Sequence, residues 1–263
     1  MSVLKLVRPL NGILASLVAL TACHLAFCGA GKPLHLMLGA FFITAFINVT
    51  NDIFDVGEDS HNHPDRPLPS GKVSEMDAWM LALVVLFFAL YFSYRHSPWA
   101  LAVGSLAMFI SLLYNCCLKG IPVVGNLIVS LVVFMAFLYG SGGMYVHRVI
   151  PAALLGAYLH LVRELVKSLQ DREGDRPYRR TVAHVLGEEM LRKVIFIALL
   201  LLPFLAVVPV LFGYSYLYGM AVILLVGFPT LAVASSVLYG RYAFLSKALK
   251  VITFLAVVSL WFA

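Results

Sequence analysis

The chain has 263 residues, of which 62% are hydrophobic and only 12% are charged. An average soluble domain carries about 25% charged residues and about 45–50% apolar ones, so the composition excludes a soluble globular enzyme, a disordered chain and a disulfide scaffold. The net charge of +6 does not indicate a nucleic-acid partner, because membrane proteins gather Lys and Arg in their cytoplasmic loops. The four cysteines lie in apolar segments without the spacing of zinc ligands, and we expect them to pack as small apolar side chains.

Nine apolar segments follow one another along the chain, and each has the length of a transmembrane helix. A helix needs about 20 apolar residues to cross the hydrocarbon core of a bilayer. The polar breaks between the segments place the predicted helices roughly at residues 10–30, 35–54, 76–95, 98–118, 121–143, 149–170, 190–211, 214–238 and 243–262. The sequence therefore predicts an all-α, polytopic membrane protein in which residues 1–263 form one integral membrane domain.

The basic residues predict how these helices are oriented. Of the 19 Lys and Arg residues, all but Lys32, Arg95 and Arg148 lie on the same side of the predicted bundle as the N-terminus. Loops rich in Lys and Arg stay in the cytoplasm, so we expect a cytoplasmic N-terminus and an outer C-terminus in the cell membrane. The two longest polar loops, at about residues 56–75 and 171–189, then face the cytoplasm.

All 13 Asp and Glu residues fall into two windows of the sequence. One window runs from Asp52 to Asp77 and the other from Glu164 to Glu189. Each begins at the C-terminal end of a predicted helix and continues into one of the two cytoplasmic loops. A solvated surface would scatter its carboxylates, so the clustering indicates a common role, and we expect helix packing to bring the windows together.

Both windows contain acidic side chains four residues apart, which share one face of a helix. Asn51, Asp55 and Asp59 form one such stripe, and Asp171 and Asp175 repeat the spacing. Like charges at this spacing destabilise a helix, and the negative C-terminal end of the helix dipole adds to the cost. A divalent cation between the carboxylates removes the conflict, and a donor set made only of oxygen favours Mg²⁺ or Ca²⁺ over zinc or copper.

Magnesium in proteins binds few carboxylates and completes its shell with water and substrate phosphates, so the pattern predicts a diphosphate held by Mg²⁺ between the two motifs. Arg and Lys side chains on the same side of the membrane would stabilise a departing diphosphate. The predicted metal ligands are Asn51, Asp52, Asp55, Asp59, Asp171 and Asp175.

The same residues resemble a known family. The segment from Asn51 to Asp59, followed by Pro-Asp-Arg-Pro-Leu-Pro-Ser-Gly at 64–71, resembles the first signature of the UbiA superfamily of intramembrane prenyltransferases, and Asp171 with Asp175 is similar to its second. Within that superfamily the segments 51–71, 125–129 and 163–175 resemble most closely the digeranylgeranylglyceryl phosphate synthases. That branch usually has an aspartate at the position of Ser168.

The resemblance implies an enzyme that uses Mg²⁺ as its cofactor. It would transfer a polyprenyl group, geranylgeranyl in the closest branch, from its diphosphate to a hydroxyl of a prenylglycerol phosphate lipid, forming an ether bond. The implied catalytic residues are Asp55, Asp59, Asp171 and Asp175. The residues implied to bind the diphosphate or substrate are Arg8, Asn11, Asn48, Arg66, Tyr114, Lys119, Arg163 and Lys167, among which Arg66, Lys119, Arg163 and Lys167 would neutralise the diphosphate.

Three alternatives fit parts of the sequence. The same prenyl transfer could use an aromatic quinone precursor or a tetrapyrrole such as chlorophyllide as the acceptor, since chlorophyll synthases share much of the first motif. The protein could be a cation transporter, although transporters place ionisable groups near the bilayer midplane and the carboxylates here lie at helix ends. A non-catalytic lipid-binding relative is the third alternative, and the intact aspartates argue against it.

Overall fold

The computed structural model describes residues 2–28, 33–175 and 180–263, which are helical with connecting turns and contain no β-strand. The α-helices of this part of the chain are α1 (Ser2–Val7), α2 (Pro9–Leu25), α3 (Pro33–Phe54), α4 (Val56–Asn62), α5 (Glu75–His96), α6 (Pro98–Leu113), α7 (Val124–Gly140), α8 (Val146–Gln170), α9 (Arg172–Asp175), α10 (Val182–Leu186), α11 (Glu188–Val207), α12 (Tyr216–Val222), α13 (Phe228–Ala234) and α14 (Tyr242–Ser259). Short π-helical or 3₁₀ segments extend or join some of them, at Tyr114–Leu118, Val208–Phe212, Ile223–Gly227, Ser235–Val237 and Leu260–Phe262.

Eight helical stretches of the described chain are long and apolar enough to cross a membrane. They are Val3–Leu25, Pro33–Phe54, Glu75–His96, Pro98–Leu118, Val146–Gln170, Glu188–Phe212, Tyr216–Val237 and Tyr242–Phe262. The apolar helix α7 is shorter, with 17 residues, and lies where the fifth segment was predicted. The prediction of an all-α, multi-pass membrane protein is confirmed, whereas the number of nine spans and the orientation stay predictions.

Serine caps explain why the third and fourth predicted segments begin where they do. The Ser74 hydroxyl accepts the Asp77 N–H at 3.1 Å, and the Ser97 hydroxyl accepts the Ala100 N–H at 3.0 Å. Each cap satisfies a donor that the first turn of a helix leaves free. Pro98 then occupies the first position of α6, where its missing N–H costs nothing.

The prediction for the first helix was less accurate. The helical stretch begins before residue 10 and is interrupted at Arg8, whose φ of 50° and ψ of 68° lie in the left-handed region. It ends at Leu25, where the chain turns and Cys28 donates its N–H to the Cys23 carbonyl at 3.0 Å. This turn brings Cys23 and Cys28 together as a disulfide, so the expectation that all four cysteines are simple apolar thiols was wrong for this pair.

The described chain divides into two compact units. Unit 1 comprises Met1–Lys119 and Met135–Met144, and its centre is α3, which packs along α2 and α5. A small residue also lets the end of α7 approach α2 closely: a Cβ on Gly140 would lie only 2.5 Å from the Ala19 carbonyl oxygen. Close contacts of this kind replace the hydrophobic effect as the force that holds helices together in lipid.

Unit 2 comprises Gly120–Phe134 and Tyr145–Ala263, and in it α8 packs against α11 and α14. Two of its tyrosines are hydrogen-bonded to backbone carbonyls: the half-buried Tyr158 donates to Ala198 at 2.9 Å and the buried Tyr218 donates to Ala206 at 2.8 Å. Such bonds satisfy polar groups that have no water to bind within a bilayer. The expectation of one membrane domain over the whole chain stays a prediction.

Candidate active site

The first aspartate motif lies in unit 1, where α3 meets α4. Asp55 separates the two helices, yet the backbone bonds continue through it, from the Asp55 N–H to the Asn51 carbonyl at 3.0 Å and from the Asp59 N–H to the Asp55 carbonyl at 2.8 Å. Asn51, Asp55 and Asp59 are therefore spaced by successive helical turns. The predicted common face is confirmed, and the predicted role of these residues as metal ligands stays a prediction.

The carboxylates of this motif are buried. Asp52, Asp55 and Asp59 are exposed to only 4%, 8% and 5%. Buried charges are costly unless they are paired and hydrogen-bonded, and three carboxylates within two helical turns also repel one another. The cations beside them are therefore part of the same site.

Lys119 neutralises one side of the motif. Its ammonium donates to Asp55 and lies 3.2 Å from a Glu58 carboxylate oxygen. The Asn51 amide also donates to Asp55. Glu58 was not among the predicted site residues, although its place three residues after Asp55, on an adjoining turn, was a signal that could have identified it.

Two arginines neutralise the other side. Arg8 donates to Asp52, and Arg66 donates to Asp59 and lies 3.9 Å from Asp52. Arg66 comes from the loop after α4 and Arg8 from the junction of α1 and α2, so the pairs fix both segments to the end of α3. These contacts bring Arg8, Arg66 and Asp52 together, and the roles predicted for them in binding the diphosphate and the metal stay predictions.

Asn48 holds the chain next to Arg8. Its amide Nδ2 donates to the Val7 carbonyl at 3.2 Å, which fixes the residue immediately before Arg8. A left-handed backbone at a residue other than glycine costs on the order of 1–3 kcal/mol and persists only where its surroundings impose it. Asn48 therefore supports the position of Arg8, and the half-buried Asn11 lies in the first turn of α2 that follows.

Tyr114 opens the π-helical segment that leads to Lys119. Wide turns of this kind occur frequently at functional sites. Within this segment Asn115 is 9% exposed, and neither atom of its amide group has a hydrogen-bond partner in the described part of the chain. Sequence reasoning did not identify Asn115 as a candidate site residue, because no spacing rule distinguishes it from its neighbours.

The second motif lies in unit 2, at the end of α8. The Asp171 N–H donates to the Lys167 carbonyl at 2.9 Å, so Asp171 ends α8, and the short helix α9 follows. The Asp175 side chain lies outside the part of the chain that the structure describes, and its role as a metal ligand stays a prediction. Arg172 contacts Glu188 at 3.1 Å, and the Tyr242 hydroxyl donates to Glu188 at 2.7 Å, which ties the segment after Asp171 to α11 and α14.

Glu164 organises the basic residues one turn before this motif. Its carboxylate lies 3.3 Å from Arg163 Nη1, 3.3 Å from Lys167 Nζ and 3.8 Å from His160 Nε2. Arg163 and Lys167 were predicted to bind the diphosphate, whereas Glu164 and His160 were not considered. The spacing of Glu164 and Lys167, three residues apart on a helix, is a known pairing pattern and would have identified the glutamate.

Ser168 has a structural partner. Its buried hydroxyl accepts the Ala183 N–H at 3.3 Å, which links α8 to α10. The Ser168 side chain is therefore engaged with the backbone of the chain itself.

The donor chemistry of unit 1 fits Mg²⁺. Asn51, Asp55 and Asp59 offer only oxygen ligands on one helix face, which is the donor type that Mg²⁺ prefers. Among the described residues, no three His, Cys, Asp or Glu side chains converge as a metal centre, because the buried carboxylates point to Arg8, Arg66 and Lys119 instead. The assignment of the individual metal ligands stays a prediction.

Comparison with known proteins gives the class of the protein. Residues 13–262 match the model of the UbiA prenyltransferase family, so the chain belongs to this family and is a membrane prenyltransferase. Curated relatives include the digeranylgeranylglyceryl phosphate synthase of Methanopyrus kandleri, which is 35% identical over 89% of each chain. That of Pyrococcus furiosus is 31% identical over 97% of this chain and 94% of its own length.

Solved structures share the fold. A structure concerned with digeranylgeranylglyceryl phosphate synthase in membranes superposes with a TM-score of 0.72 at 24% identity, covering 98% of this chain and 96% of the other. A UbiA homologue from Archaeoglobus fulgidus bound to GPP and Mg²⁺ has a TM-score of 0.71 at 18% identity, covering 99% and 98%. At these identities the likeness establishes the polytopic helical fold.

Proposed function

We propose that this prenyltransferase moves a geranylgeranyl group from its diphosphate to the free hydroxyl of a prenylglycerol phosphate lipid. The observation that carries the proposal is the buried aspartate stripe of Asp55 and Asp59, paired with Lys119 and Arg66, in a chain whose curated relatives bear the name digeranylgeranylglyceryl phosphate synthase. The product is a lipid with a second prenyl ether.

The proposed metal ligands are Asp55, Asp59, Asp171 and Asp175, with Asn51 and Asp52 in support. When bound, Mg²⁺ supplies electrostatic stabilisation of the diphosphate as a leaving group. Prenyl transfer as proposed requires the carboxylates of both aspartate motifs, so the loss of either motif abolishes it.

The remaining chemistry belongs to the side chains. Lys119, Arg163 and Lys167 offer positive charge to the diphosphate as the allylic C–O bond breaks and its electron pair leaves with the diphosphate. The oxygen of the acceptor hydroxyl then bonds to the allylic carbon, and the hydroxyl proton is released to water. No strong general base is required, since the allylic carbon carries cationic character when it is attacked.

We place this site on the cytoplasmic face of the cell membrane. The proposal rests on the distribution of Lys and Arg along the sequence, of which only Lys32, Arg95 and Arg148 fall on the opposite side of the predicted bundle. The donor and the lipid acceptor would reach the site from the bilayer, with their prenyl tails among the membrane helices.

An acceptor panel tests the proposal. Purified protein in liposomes would be supplied with Mg²⁺, radiolabelled geranylgeranyl diphosphate and one acceptor at a time: geranylgeranylglyceryl phosphate, 4-hydroxybenzoate or chlorophyllide. We expect label in an ether product of the glycerol lipid alone. Transfer to an aromatic or tetrapyrrole acceptor instead would identify a different branch of the same chemistry, and cation flux without any donor would point to a transporter.

A further inference from the structure

Unit 1 contains a pocket of about 390 Å³ beside the aspartate motif. It opens between the α1–α2 junction and the loop after α4, and its ionisable lining consists of Lys5, Arg8, Asp52, His63, Asp65 and Arg66. The volume lies within the range of about 300–1,000 Å³ that is usual for sites of small molecules, so a phosphorylated headgroup fits in it.

The pocket is lined by three cations and two carboxylates. Both arginines also have an aspartate partner, Asp52 for Arg8 and Asp59 for Arg66. Lys5 is exposed and has no ion-pair partner among the described residues. An ammonium and two guanidinium groups that line one pocket form a site for a doubly charged phosphate. Each guanidinium can donate two parallel hydrogen bonds to phosphate oxygens.

This pocket is separate from the Lys119 pair. Neither Lys119 nor Asp55 lines it; Lys119 is engaged with Asp55 and Glu58. The described cations that pair with the first aspartate motif or line the pocket beside it thus form two groups, one at Lys119 and one at Lys5 with the two arginines. Prenyl transfer as proposed above also has two phosphate-bearing substrates, the diphosphate of the donor and the phosphomonoester of the acceptor.

We propose that the pocket lined by Lys5, Arg8 and Arg66 binds the phosphate of the lipid acceptor, while the donor diphosphate binds on the Lys119 side. The inference rests on the proposed function and adds to it a specificity site for phosphorylated acceptors. It also changes the role that the sequence suggested for Arg66, from neutralising the diphosphate to holding the acceptor. Arg8 has a left-handed backbone conformation, and its side chain lines this pocket. Residues with strained backbones cluster at functional sites, which agrees with a binding role for Arg8.

Lys5→Gln tests the assignment, with Lys250→Gln as the matched control on an exposed position of α14. The Michaelis constants of geranylgeranylglyceryl phosphate and geranylgeranyl diphosphate would be measured for both variants, together with turnover of the dephosphorylated acceptor. We expect Lys5→Gln to raise the KM of the phosphorylated acceptor about tenfold, as for one lost charge-assisted contact. The KM of the donor and turnover of the dephosphorylated acceptor should match those of the control.

Asp65→Asn should change the KM of the phosphorylated acceptor in the opposite direction to Lys5→Gln. It removes a negative charge from the same pocket, so we expect this KM to fall. The inference is overturned if Lys5→Gln raises the KM of the donor instead, or behaves like Lys250→Gln towards both substrates. A wild-type protein that uses aromatic acceptors and no glycerol phosphate lipid would overturn the proposed function itself, which is a different result from either of these.

Discussion

Asp55 links the two helices of the first motif and accepts hydrogen bonds from Lys119 and Asn51. Its carboxylate is therefore both a proposed metal ligand and the partner that keeps Lys119 in position. Removing its charge while keeping its shape should affect chemistry more than folding, since Glu58 remains 3.2 Å from the ammonium of Lys119.

We expect Asp55→Asn to lower the rate of prenyl transfer by at least about a hundredfold, the usual cost of losing one electrostatic contact to a transition state. Asp77→Asn is the matched control, because Asp77 is an exposed aspartate in the first turn of α5. Rates would be measured with saturating donor and Mg²⁺, after gel filtration in detergent establishes that both variants are folded. Equal rates for the two variants would rule out a role for Asp55 in catalysis.

Glu164 permits a test of whether its carboxylate positions Arg163 and Lys167. Glu164→Gln removes the charge that pairs with these two side chains. We therefore expect the KM of the donor to rise about tenfold, as when a hydrogen bond to a charged group is lost. Glu189→Gln is the control: Glu189 also pairs with a lysine, Lys193, but on an exposed surface, where such pairs contribute little. Partial recovery in Glu164→Asp would separate positioning from loss of fold, and an unchanged KM in Glu164→Gln would contradict the role.

At the scale of elements, small residues determine how closely the helices of unit 1 pack. Gly140 ends α7 against α2, and a Cβ there would lie 2.5 Å from the Ala19 oxygen and 2.8 Å from its Cα. These are backbone atoms, so they cannot move aside as a flexible side chain could. A Cβ on Gly120 would meet no atom within 4 Å.

We therefore expect Gly140→Ala to destabilise the protein by about 1–3 kcal/mol, the usual cost of overpacking. Gly120→Ala should leave stability unchanged or raise it slightly, because alanine restricts the unfolded chain. Thermal unfolding in detergent would measure both, with a fall of several degrees expected for the first variant only. Equal melting temperatures would mean that α2 and α7 are not in close contact.

The elements themselves were predictable where local physics determines them. The starts of α5 and α6 follow from Ser74, Ser97 and Pro98, which are signals that act within one turn. The break at Arg8 was not predictable, because it depends on Asn48 and Asp52, which are distant in sequence and hold that residue in a conformation its own propensity disfavours. The disulfide of Cys23 and Cys28 was likewise not predictable. It depends on the turn after Leu25, which lies in an apolar segment without a polar break.

At the scale of the whole molecule, composition and spacing predicted the membrane fold and both aspartate motifs. They did not predict which cation pairs with which carboxylate, because those pairs join segments as distant as Arg8 and Asp52 or Asp55 and Lys119. For the same reason the pocket at Lys5 was missed. A lone lysine near the N-terminus carries no spacing signal, and its role emerges only when α1 and the loop after α4 are placed together.

The predicted orientation is testable at this scale. With a cytoplasmic N-terminus and nine spans, the C-terminus lies outside, so alkaline phosphatase fused after Ala263 should be active and a fluorescent protein fused there should be dark in a bacterial host. A fusion within the loop at 56–75 should give the opposite pair of results. The reverse pattern at both positions would place the aspartate motifs on the outer face.

The most direct test of the central claim is ether formation by the purified protein with both proposed substrates, with and without Mg²⁺. Wild-type protein should convert geranylgeranyl diphosphate and geranylgeranylglyceryl phosphate into a diether phosphate, identified by mass spectrometry. The product should disappear when Mg²⁺ is chelated, return when it is restored, and be absent in Asp55→Asn and Asp171→Asn. Undiminished product in either variant, or in the chelated wild type, would contradict a metal-dependent reaction that requires both aspartate motifs.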